Sequence, residues 1–289
     1  MKKVLVFGQN SYIGKMFANY GSQQFTITTI SARSEAWKAL DFSAFDAVLF
    51  CAGIAHVAQK KAMGNLYYRV NCQLAVEVAK AAKDAGVGQF VFLSSVAVYG
   101  HVMSNGCAIP QGATPKATDL YGGSKLAAET ELMKLGYNIC ILRPPMVYGP
   151  GCKGNFPKLV RLAKILPIFP QVANQRSMVY IDNLCKFICI AIEENKTGIH
   201  LPQNTEYVNT TALVQAIAKE HGKTMATTPI FNPLIGLLRK FMPPVDKLFG
   251  SLCYSHARDE EEYNVVGFDD TVVGAVNIDK RGAHDEKKI

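Results

Sequence analysis

The first 150 residues alternate short apolar runs with segments of helical spacing, and this alternation restricts the possible folds more than any other feature. The apolar runs Val4–Phe7, Ala47–Cys51 and Phe90–Leu93 have the length of strands, and Phe25–Ile30 is rich in β-branched residues. Strands that are apolar on both faces and alternate with helices are typical of a parallel sheet covered by helices on each side. A further strand is predicted over Asn138–Leu142, and helices are predicted over Ser11–Tyr20, Asn65–Ala85 and Tyr121–Lys134.

The regular alternation ends near Pro150, where proline and glycine become frequent. The sequence therefore predicts a doubly wound α/β domain over residues 1–150 and a smaller, interleaved C-terminal lobe over residues 151–289, with about 176–200 rejoining the first domain. The apolar and basic segment Leu234–Phe249 is interpreted as a helix packed within this lobe rather than on a membrane surface. The polar end, Asp279–Ile289, is expected to fray.

Composition excludes several classes of protein. With 49% hydrophobic and 19% charged residues, the chain is neither disordered nor a coiled coil, and its apolar runs are too short for a membrane span. The net charge of +8 suits an anionic ligand, but the basic residues form no dense tract that would predict nucleic-acid binding. The eight cysteines show no metal-ligand spacing, and a chain of this size needs no disulfides. We therefore expect a soluble, cytoplasmic protein with reduced thiols and no metal site.

The first predicted strand runs into Gly8-Gln9-Asn10-Ser11-Tyr12-Ile13-Gly14. A glycine turn between a strand and a helix places backbone N–H groups at the helix N-terminus, where a pyrophosphate is stabilised. Ser11 stands where the dinucleotide-binding fingerprint has its middle glycine, so the motif is incomplete. Its position at the first strand–helix junction favours dinucleotide binding over an ordinary turn.

Tyr121 and Lys125 are spaced to lie one turn apart on the same face of a predicted helix. An ammonium group near a phenol favours the phenolate, so this pair would lower the tyrosine pKa and suit proton exchange with a carbonyl or an alcohol. Ser94 and Ser95 directly follow the strand Phe90–Leu93, at the sheet edge where such folds bind ligands. Taken singly, each feature has an ordinary structural explanation; together they predict a catalytic site.

These motifs together resemble the extended short-chain dehydrogenase/reductase superfamily, in its nucleotide-sugar epimerase/dehydratase branch. The resemblance implies a Rossmann-like domain and an NAD(P)-dependent enzyme that acts on a nucleotide-diphosphate sugar. Homodimers are common among such proteins, but no residue here decides that point. The chain departs from the pattern at Ser11 and from about Cys253 onward. The other stretches that match are Cys51-Ala52-Gly53, Asn71, Leu93 to Gly100, Leu142 to Gly151 and Arg176 to Asn183.

The resemblance also implies roles for individual residues. Ser95 would hydrogen-bond the reacting sugar oxygen, Tyr121 would be the general acid/base, and Lys125 would hold the nicotinamide ribose and tune Tyr121. Arg176 would contact the substrate diphosphate, which suits a guanidinium, and Asn155 would also contact substrate. Asn71 would support the helix geometry of the active site, and Asp41-Phe42 would meet adenine. The implied cofactor-binding residues are Gly8, Asn10, Ser11, Tyr12, Ile13, Gly14, Ser31, Arg33, Asp41, Phe42, Cys51, Ala52, Gly53, Asn71, Tyr121, Lys125 and Pro144.

The end of the second predicted strand bears on the choice of cofactor. NAD-selective folds of this kind generally carry a carboxylate there, which binds the adenosine ribose and repels a 2′-phosphate. Here Phe25–Ile30 runs into Ser31-Ala32-Arg33-Ser34, and the first acidic residue is Glu35. Arg33 is a candidate ligand of a 2′-phosphate, so the sequence predicts NADP, with NAD as the alternative.

Three functions remain open from the sequence. The pattern is most similar to UDP-N-acetylquinovosamine-type 4-keto-sugar reductases, which implies NADP-dependent reduction of a UDP- or dTDP-linked 4-keto-6-deoxy sugar in surface polysaccharide biosynthesis. The alternatives are an NAD-dependent UDP-sugar 4-epimerase and a non-catalytic dinucleotide-binding regulatory protein. The presence of Ser95, Tyr121 and Lys125 argues against the third, because a pure binding protein needs no proton donor.

Overall fold

The computed structural model describes residues 1–33, 35–55, 63–100, 108–256 and 260–285. The strands, in chain order, are β1 (Lys3–Phe7), β2 (Thr26–Ile30), β3 (Ala47–Phe50), β4 (Gln89–Leu93), β5 (Ile139–Leu142), β6 (Met146–Tyr148), β7 (Ile168–Pro170), β8 (Met178–Tyr180), β9 (Gly198–His200) and β10 (Ala226–Thr228). The α-helices are α1 (Tyr12–Tyr20), α2 (Gly64–Tyr68), α3 (Leu74–Asp84), α4 (Leu120–Met133), α5 (Phe156–Ile165), α6 (Ile181–Glu193), α7 (Thr210–Glu220), α8 (Asn232–Phe241), α9 (Pro243–Phe249), α10 (Glu260–Tyr263) and α11 (Phe268–Asp285).

The described chain divides into two units. Unit 1 consists of Met1–Val102, Gly112–Pro145 and Ile181–Pro202, and the rest of the chain forms unit 2. The segment that returns to unit 1 begins at Ile181, a few residues later than the sequence analysis placed it. Arg176 therefore belongs to unit 2.

Unit 1 is built on a six-stranded parallel sheet with the order β2-β1-β3-β4-β5-β9. Residues 4–7 of β1 and all of β3, β4 and β5 are buried, whereas the edge strand β2 is partly exposed and rich in threonine. Strands β2 and β3 lie on opposite sides of β1, so the direction in which strands are added to the sheet reverses at β1. The carboxyl ends of strands at such a reversal form the crevice in which these folds bind ligands. The predicted Rossmann-like α/β fold is confirmed.

The helices predicted for unit 1 are present with small changes. α1 and α4 begin after the side-chain caps Ser11 and Asp119. The long helix predicted over Asn65–Ala85 is divided into α2, a π-helical turn over Arg69–Gln73, and α3. Single π turns inside α-helices occur often at functional sites, and this one carries Asn71.

Unit 2 contains two small parallel sheets, β6 with β8 and β7 with β10, and helices α5 and α7 to α11. The prediction that the apolar segment Leu234–Phe249 packs into its lobe is wrong for much of α8, because Leu234, Leu237 and Phe241 are exposed. Helix α11 extends to Asp285, and the expected fraying from Asp279 stays a prediction. Residues 286–289 lie outside the described part of the chain. No helix in the described residues is long and apolar enough to cross a membrane.

Candidate active site

The turn after β1 is built around Gly8. Its φ of +128° lies in the region that favours glycine, and a Cβ at this position would lie 2.8 Å from the backbone nitrogen of Ala52. The Gly8 amide donates a hydrogen bond to the Ile30 carbonyl at the end of β2, and the Gly8 carbonyl accepts one from the Ser11 amide. Gly8 therefore brings the carboxyl ends of β1, β2 and β3 close together.

Ser11, which replaces the middle glycine of the fingerprint, is the N-cap of α1. Its hydroxyl oxygen accepts a hydrogen bond from the Gly14 amide at 2.9 Å and lies 3.3 Å from the sulfur of Cys51. A Cβ on Gly14 would lie 2.6 Å from the Gly8 carbonyl oxygen, so the first turn of α1 packs directly on the strand ends. Burial raises the pKa of Cys51 to about 11, which keeps this thiol neutral. The serine thus preserves the helix N-terminus at which a pyrophosphate is stabilised.

A cleft of about 660 Å³ opens at the carboxyl ends of β1, β2 and β3. Its volume lies within the range of small-molecule and cofactor sites. The predicted cofactor-binding residues that line it are Gly8, Asn10, Ser11, Ser31, Arg33, Ala52 and Gly53. Ala32 and Glu35, which the sequence places after the second strand, also line it. The lining residues that the sequence did not single out are Trp37, Lys38, Ile54, Arg69, Val70, Gln73, Leu74 and Glu77.

Three cations, Arg33, Lys38 and Arg69, line this cleft. Lys38 forms an ion pair with Glu35 at 3.0 Å. The backbone amide of Arg33 donates to the hydroxyl of Ser31 at 3.2 Å. A hydroxyl and a guanidinium, rather than a carboxylate, therefore occupy the turn directly after β2.

The predicted pair Asp41-Phe42 does not line this cleft. The Asp41 carboxylate accepts hydrogen bonds from the Ser43 amide at 3.0 Å and from the Ser43 hydroxyl at 2.6 Å, which lower its pKa. Phe42 is buried, and its ring packs edge-on against Trp37 with centroids 6.3 Å apart. Their contact with adenine stays a prediction. The other predicted cofactor ligands outside this lining are Tyr12, Ile13, Gly14, Cys51, Asn71, Tyr121, Lys125 and Pro144.

Asn71 connects the loop after β3 to α4. Its side-chain oxygen accepts from the Ile54 amide at 2.8 Å, and its side-chain nitrogen donates to the Ile54 carbonyl and to the Ser124 hydroxyl. A Cβ on Gly53 would lie 2.9 Å from the Asn71 side-chain oxygen. Because Asn71 is fully buried and its amide forms hydrogen bonds at both ends, it fixes the loop against the helix that carries Tyr121.

The structure brings Ser95 and Tyr121 together, as the family resemblance implies. The two side chains form a hydrogen bond, and the Ser95 hydroxyl also accepts from the Ala97 amide at 3.2 Å. Gly122, which follows Tyr121, lets α4 pack closely on the turn of Ser95 and Ala97, because a Cβ at this position would overlap the Ala97 carbonyl. A serine and a tyrosine hydroxyl paired at the end of β4 can together bind one oxygen atom of a substrate and exchange a proton with it.

The expectation that Lys125 lowers the pKa of Tyr121 is wrong for this structure. The Lys125 ammonium donates to the Leu93 carbonyl at 2.8 Å and lies 4.6 Å from the centroid of the Phe92 ring. Burial lowers the pKa of Lys125 to about 8. Burial likewise raises the pKa of Tyr121 to about 12, and the hydrogen bond to Ser95 only partly offsets this effect. At neutral pH, the phenol of Tyr121 is therefore protonated.

A buried ion pair that the sequence did not predict joins Glu129 of α4, the helix of Tyr121 and Lys125, to Arg143 at the end of β5. Arg143 contacts both carboxylate oxygens of Glu129 and donates to the Tyr99 hydroxyl at 2.7 Å. The hydroxyl of Ser94, the residue before Ser95, also donates to Glu129. Glu129 follows Lys125 by four residues, so helical spacing could have revealed it.

Arg176 and Asn155 lie in unit 2. The Arg176 guanidinium donates to the Gly250 carbonyl at 2.8 Å, and burial lowers its pKa although Asp246 acts in the opposite sense. Asn155 is exposed at the start of α5, where its side-chain oxygen accepts from the Lys158 ammonium at 3.3 Å. The contacts of both residues with substrate stay predictions.

A model of the NAD dependent epimerase/dehydratase family matches residues 4–206. The chain belongs to this family. The predicted resemblance to the extended short-chain dehydrogenases/reductases is thereby confirmed, and the protein is a nicotinamide-dinucleotide-dependent enzyme. The glycine turn, the capped N-terminus of α1 and the cleft at the strand reversal fit such a cofactor.

This chain is similar in sequence to a curated protein and similar in structure to two solved proteins, among others. A UDP-glucose 4-epimerase of Vibrio cholerae is 36% identical over 219 residues, which cover 71% of this chain and 67% of that protein. A UDP-glucuronic acid 4-epimerase from Bacillus cereus, solved with NAD, superposes with a TM-score of 0.74 at 18% identity and covers 96% of this chain and 99% of that one. A dTDP-4-dehydrorhamnose reductase from Bacillus anthracis, solved with NADP, has a TM-score of 0.69 at 19% identity, with coverages of 90% and 92%.

Proposed function

We propose that this protein is an NADPH-dependent reductase of a nucleotide-linked 4-keto-6-deoxy sugar. The observation that carries the proposal is the turn after β2, where Ser31 and Arg33 line the cleft in place of a carboxylate. The same cleft is lined by two further cations, Lys38 and Arg69, and by two carboxylates, Glu35 and Glu77, so its lining keeps an excess of positive charge. Charge-assisted hydrogen bonds from cations favour a 2′-phosphate on the adenosine ribose, which a carboxylate would repel.

The residues of unit 1 divide the binding of the dinucleotide among them. Gly8 and the N-terminus of α1 would hold the pyrophosphate, and Arg33 would hold the 2′-phosphate. The resemblance of Lys125 to the family lysine implies that Lys125 would hold the nicotinamide ribose. When bound, the reduced cofactor supplies a hydride to the carbonyl carbon.

Reduction of a ketone also requires a proton at the carbonyl oxygen, and Tyr121 is the candidate donor. Its pKa of about 12 keeps the phenol protonated at neutral pH. Ser95, which is hydrogen-bonded to Tyr121, would donate to the same oxygen and orient it. A protonated tyrosine suits the reductive direction, because the product alcohol needs the proton that the phenol carries.

The proposed reaction is tested by mixing the protein with NADPH and either UDP- or dTDP-linked 4-keto-6-deoxy sugars, and following NADPH absorbance. We expect oxidation of NADPH that depends on the sugar and is lost in Tyr121→Phe. Tyr137→Phe is the matched control, because burial also raises the pKa of Tyr137 to about 12 but its hydroxyl donates to the Val87 carbonyl. Sugar-independent oxidation, or equal loss in both variants, would contradict the proposal.

The second candidate is a UDP-sugar 4-epimerase that retains NAD, and the Vibrio cholerae relative of that name favours it. Such an enzyme returns the hydride to the same sugar, so its cofactor does not leave between turnovers. Analysis of the purified protein for bound dinucleotide separates the two candidates. Tightly held NAD supports the epimerase, whereas protein that is purified empty and oxidises added NADPH only when the keto sugar is present supports the reductase.

A further inference from the structure

Helix α8 and the residues beside it carry an apolar stripe that is exposed. Three- and four-residue spacing places Leu234, Leu237 and Phe241 on one face of this helix. Ile235 is the one buried residue of α8. An amphipathic helix of a globular protein normally turns its apolar stripe toward the core, so this stripe is open to a partner. Its members, exposed by 44% to 77%, are Ile230, Phe231, Leu234, Leu237, Phe241 and Met242.

Exposed apolar side chains are concentrated at this helix. Thirteen large hydrophobic residues are exposed in the described part of the chain, and six of them fall between Ile230 and Met242. The remaining seven are distributed over both units. Scattered exposed apolar residues are ordinary, whereas a contiguous group marks a surface of interaction.

The border of the stripe is basic. From Asn232 to Val245 the chain contains no aspartate or glutamate, but it contains Arg239 and Lys240. The next residue, Asp246, forms an ion pair with Arg239 at 2.9 Å. Lys240 is exposed next to Phe241. This distribution is complementary to an anionic surface.

We propose that α8 docks this protein on an anionic membrane, with its axis in the plane of the bilayer and the stripe at the boundary between headgroups and acyl chains. Apolar side chains on one face and lysine or arginine at the border are typical of helices that bind in this way. At ten residues, α8 is too short to cross a bilayer. A second copy of the chain is a less suitable occupant, because a symmetric dimer would bring two identical basic borders together, whereas anionic headgroups attract lysine and arginine.

Vesicle flotation of the full-length protein tests this proposal without relying on the proposed reaction. The vesicles consist of phosphatidylcholine alone or with one third phosphatidylglycerol. The wild-type protein should float with the anionic vesicles and release at high salt. The variant Leu234→Gln/Leu237→Gln/Phe241→Gln should bind at least about a hundredfold more weakly, because the three side chains no longer bury apolar surface. Lys240→Gln should weaken binding by about fivefold.

Met133→Gln is the matched control, since Met133 is a 52% exposed apolar residue on α4 in unit 1. It should bind like the wild type, and all variants should unfold at the wild-type temperature because the changed side chains are exposed. The proposal is overturned if the wild-type protein does not float with anionic vesicles, or if the triple variant floats equally well. It is also overturned if gel filtration without vesicles shows a wild-type oligomer that the triple variant converts to monomers, because a second copy then covers the stripe.

Discussion

The strand ends of unit 1 and helix α8 of unit 2 differ in how closely their side chains are enclosed. An added Cβ would lie within 2.9 Å of a neighbouring atom at Gly8, Gly14 and Gly53, so the protein itself determines the shape of the cleft. On α8, by contrast, Leu234 and Leu237 are each 55% exposed. Unit 1 is therefore preorganised for a ligand of fixed shape, whereas the surface of α8 suits a partner that adapts to it.

The buried ion pair in unit 1 gives the largest expected effect. Glu129→Gln should lower the free energy of unfolding by about 3–5 kcal/mol, because it leaves the buried Arg143 guanidinium without its carboxylate. Glu131→Gln, on the same helix, removes an exposed ion pair with Lys134 and should cost at most about 1 kcal/mol. Urea denaturation measures both changes. Equal losses in the two variants would show that burial does not distinguish these pairs.

Tyr121→Phe should reduce turnover by about 100- to 10,000-fold, the usual contribution of general acid catalysis. Dinucleotide affinity should stay close to that of the wild type, because Tyr121 does not line the cleft at the strand ends. Steady-state kinetics together with cofactor titration measure the two quantities separately. Near-normal turnover on a confirmed substrate would remove Tyr121 from the catalytic role.

Arg176→Ala tests whether unit 2 contributes to the binding of substrate. If the guanidinium binds the substrate diphosphate, its loss should weaken substrate binding by about 10- to 100-fold and leave cofactor affinity unchanged. Arg161→Ala, which removes an exposed arginine of α5 in the same unit, should change neither. Equal weakening of cofactor and substrate binding by Arg176→Ala would indicate that the hydrogen bond to the Gly250 carbonyl supports the fold instead.

Ser95→Ala should have the smallest effect on turnover. The substitution removes one hydrogen bond to the reacting oxygen but leaves the proton donor in place, so we expect a loss of about two- to tenfold in kcat. The comparison with Tyr121→Phe under the same conditions is the measurement. A loss in Ser95→Ala as large as that in Tyr121→Phe would mean that the serine, too, is needed for proton transfer.

The periodicity of the sequence was sufficient to predict the strands and helices of unit 1 whose residues are neighbours in the chain. The apolar runs predicted the central strands, and the four-residue spacing predicted that Tyr121 and Lys125 share α4. The π-helical turn at Asn71 and the ion pair of Glu129 with Arg143 depend on residues that meet only in the folded chain. The exposure of α8 could not be predicted from the sequence either, because an apolar helical stripe has the same sequence whether or not another element covers it.

The electrostatics of the predicted pair, Tyr121 and Lys125, could not be derived from the sequence for a similar reason. Helical spacing places the ammonium of Lys125 near the phenol of Tyr121, but it does not show the Leu93 carbonyl that receives the ammonium. Nor does it show the burial that raises the pKa of Tyr121 to about 12. Burial depends on the whole fold, so a pair of residues cannot predict it.

The central claim, a cleft selective for NADP, is tested most directly by titrating NADPH and NADH into the wild-type protein and into Arg33→Ala. We expect the wild type to bind NADPH more tightly than NADH, and Arg33→Ala to show a smaller difference between the two affinities, because it lacks the guanidinium that would bind the 2′-phosphate. Lys80→Ala, which removes an exposed cation of α3 outside the cleft, should keep the wild-type ratio. A preference for NADH, or an unchanged ratio in Arg33→Ala, would contradict the account and make the NAD-retaining epimerase the better proposal.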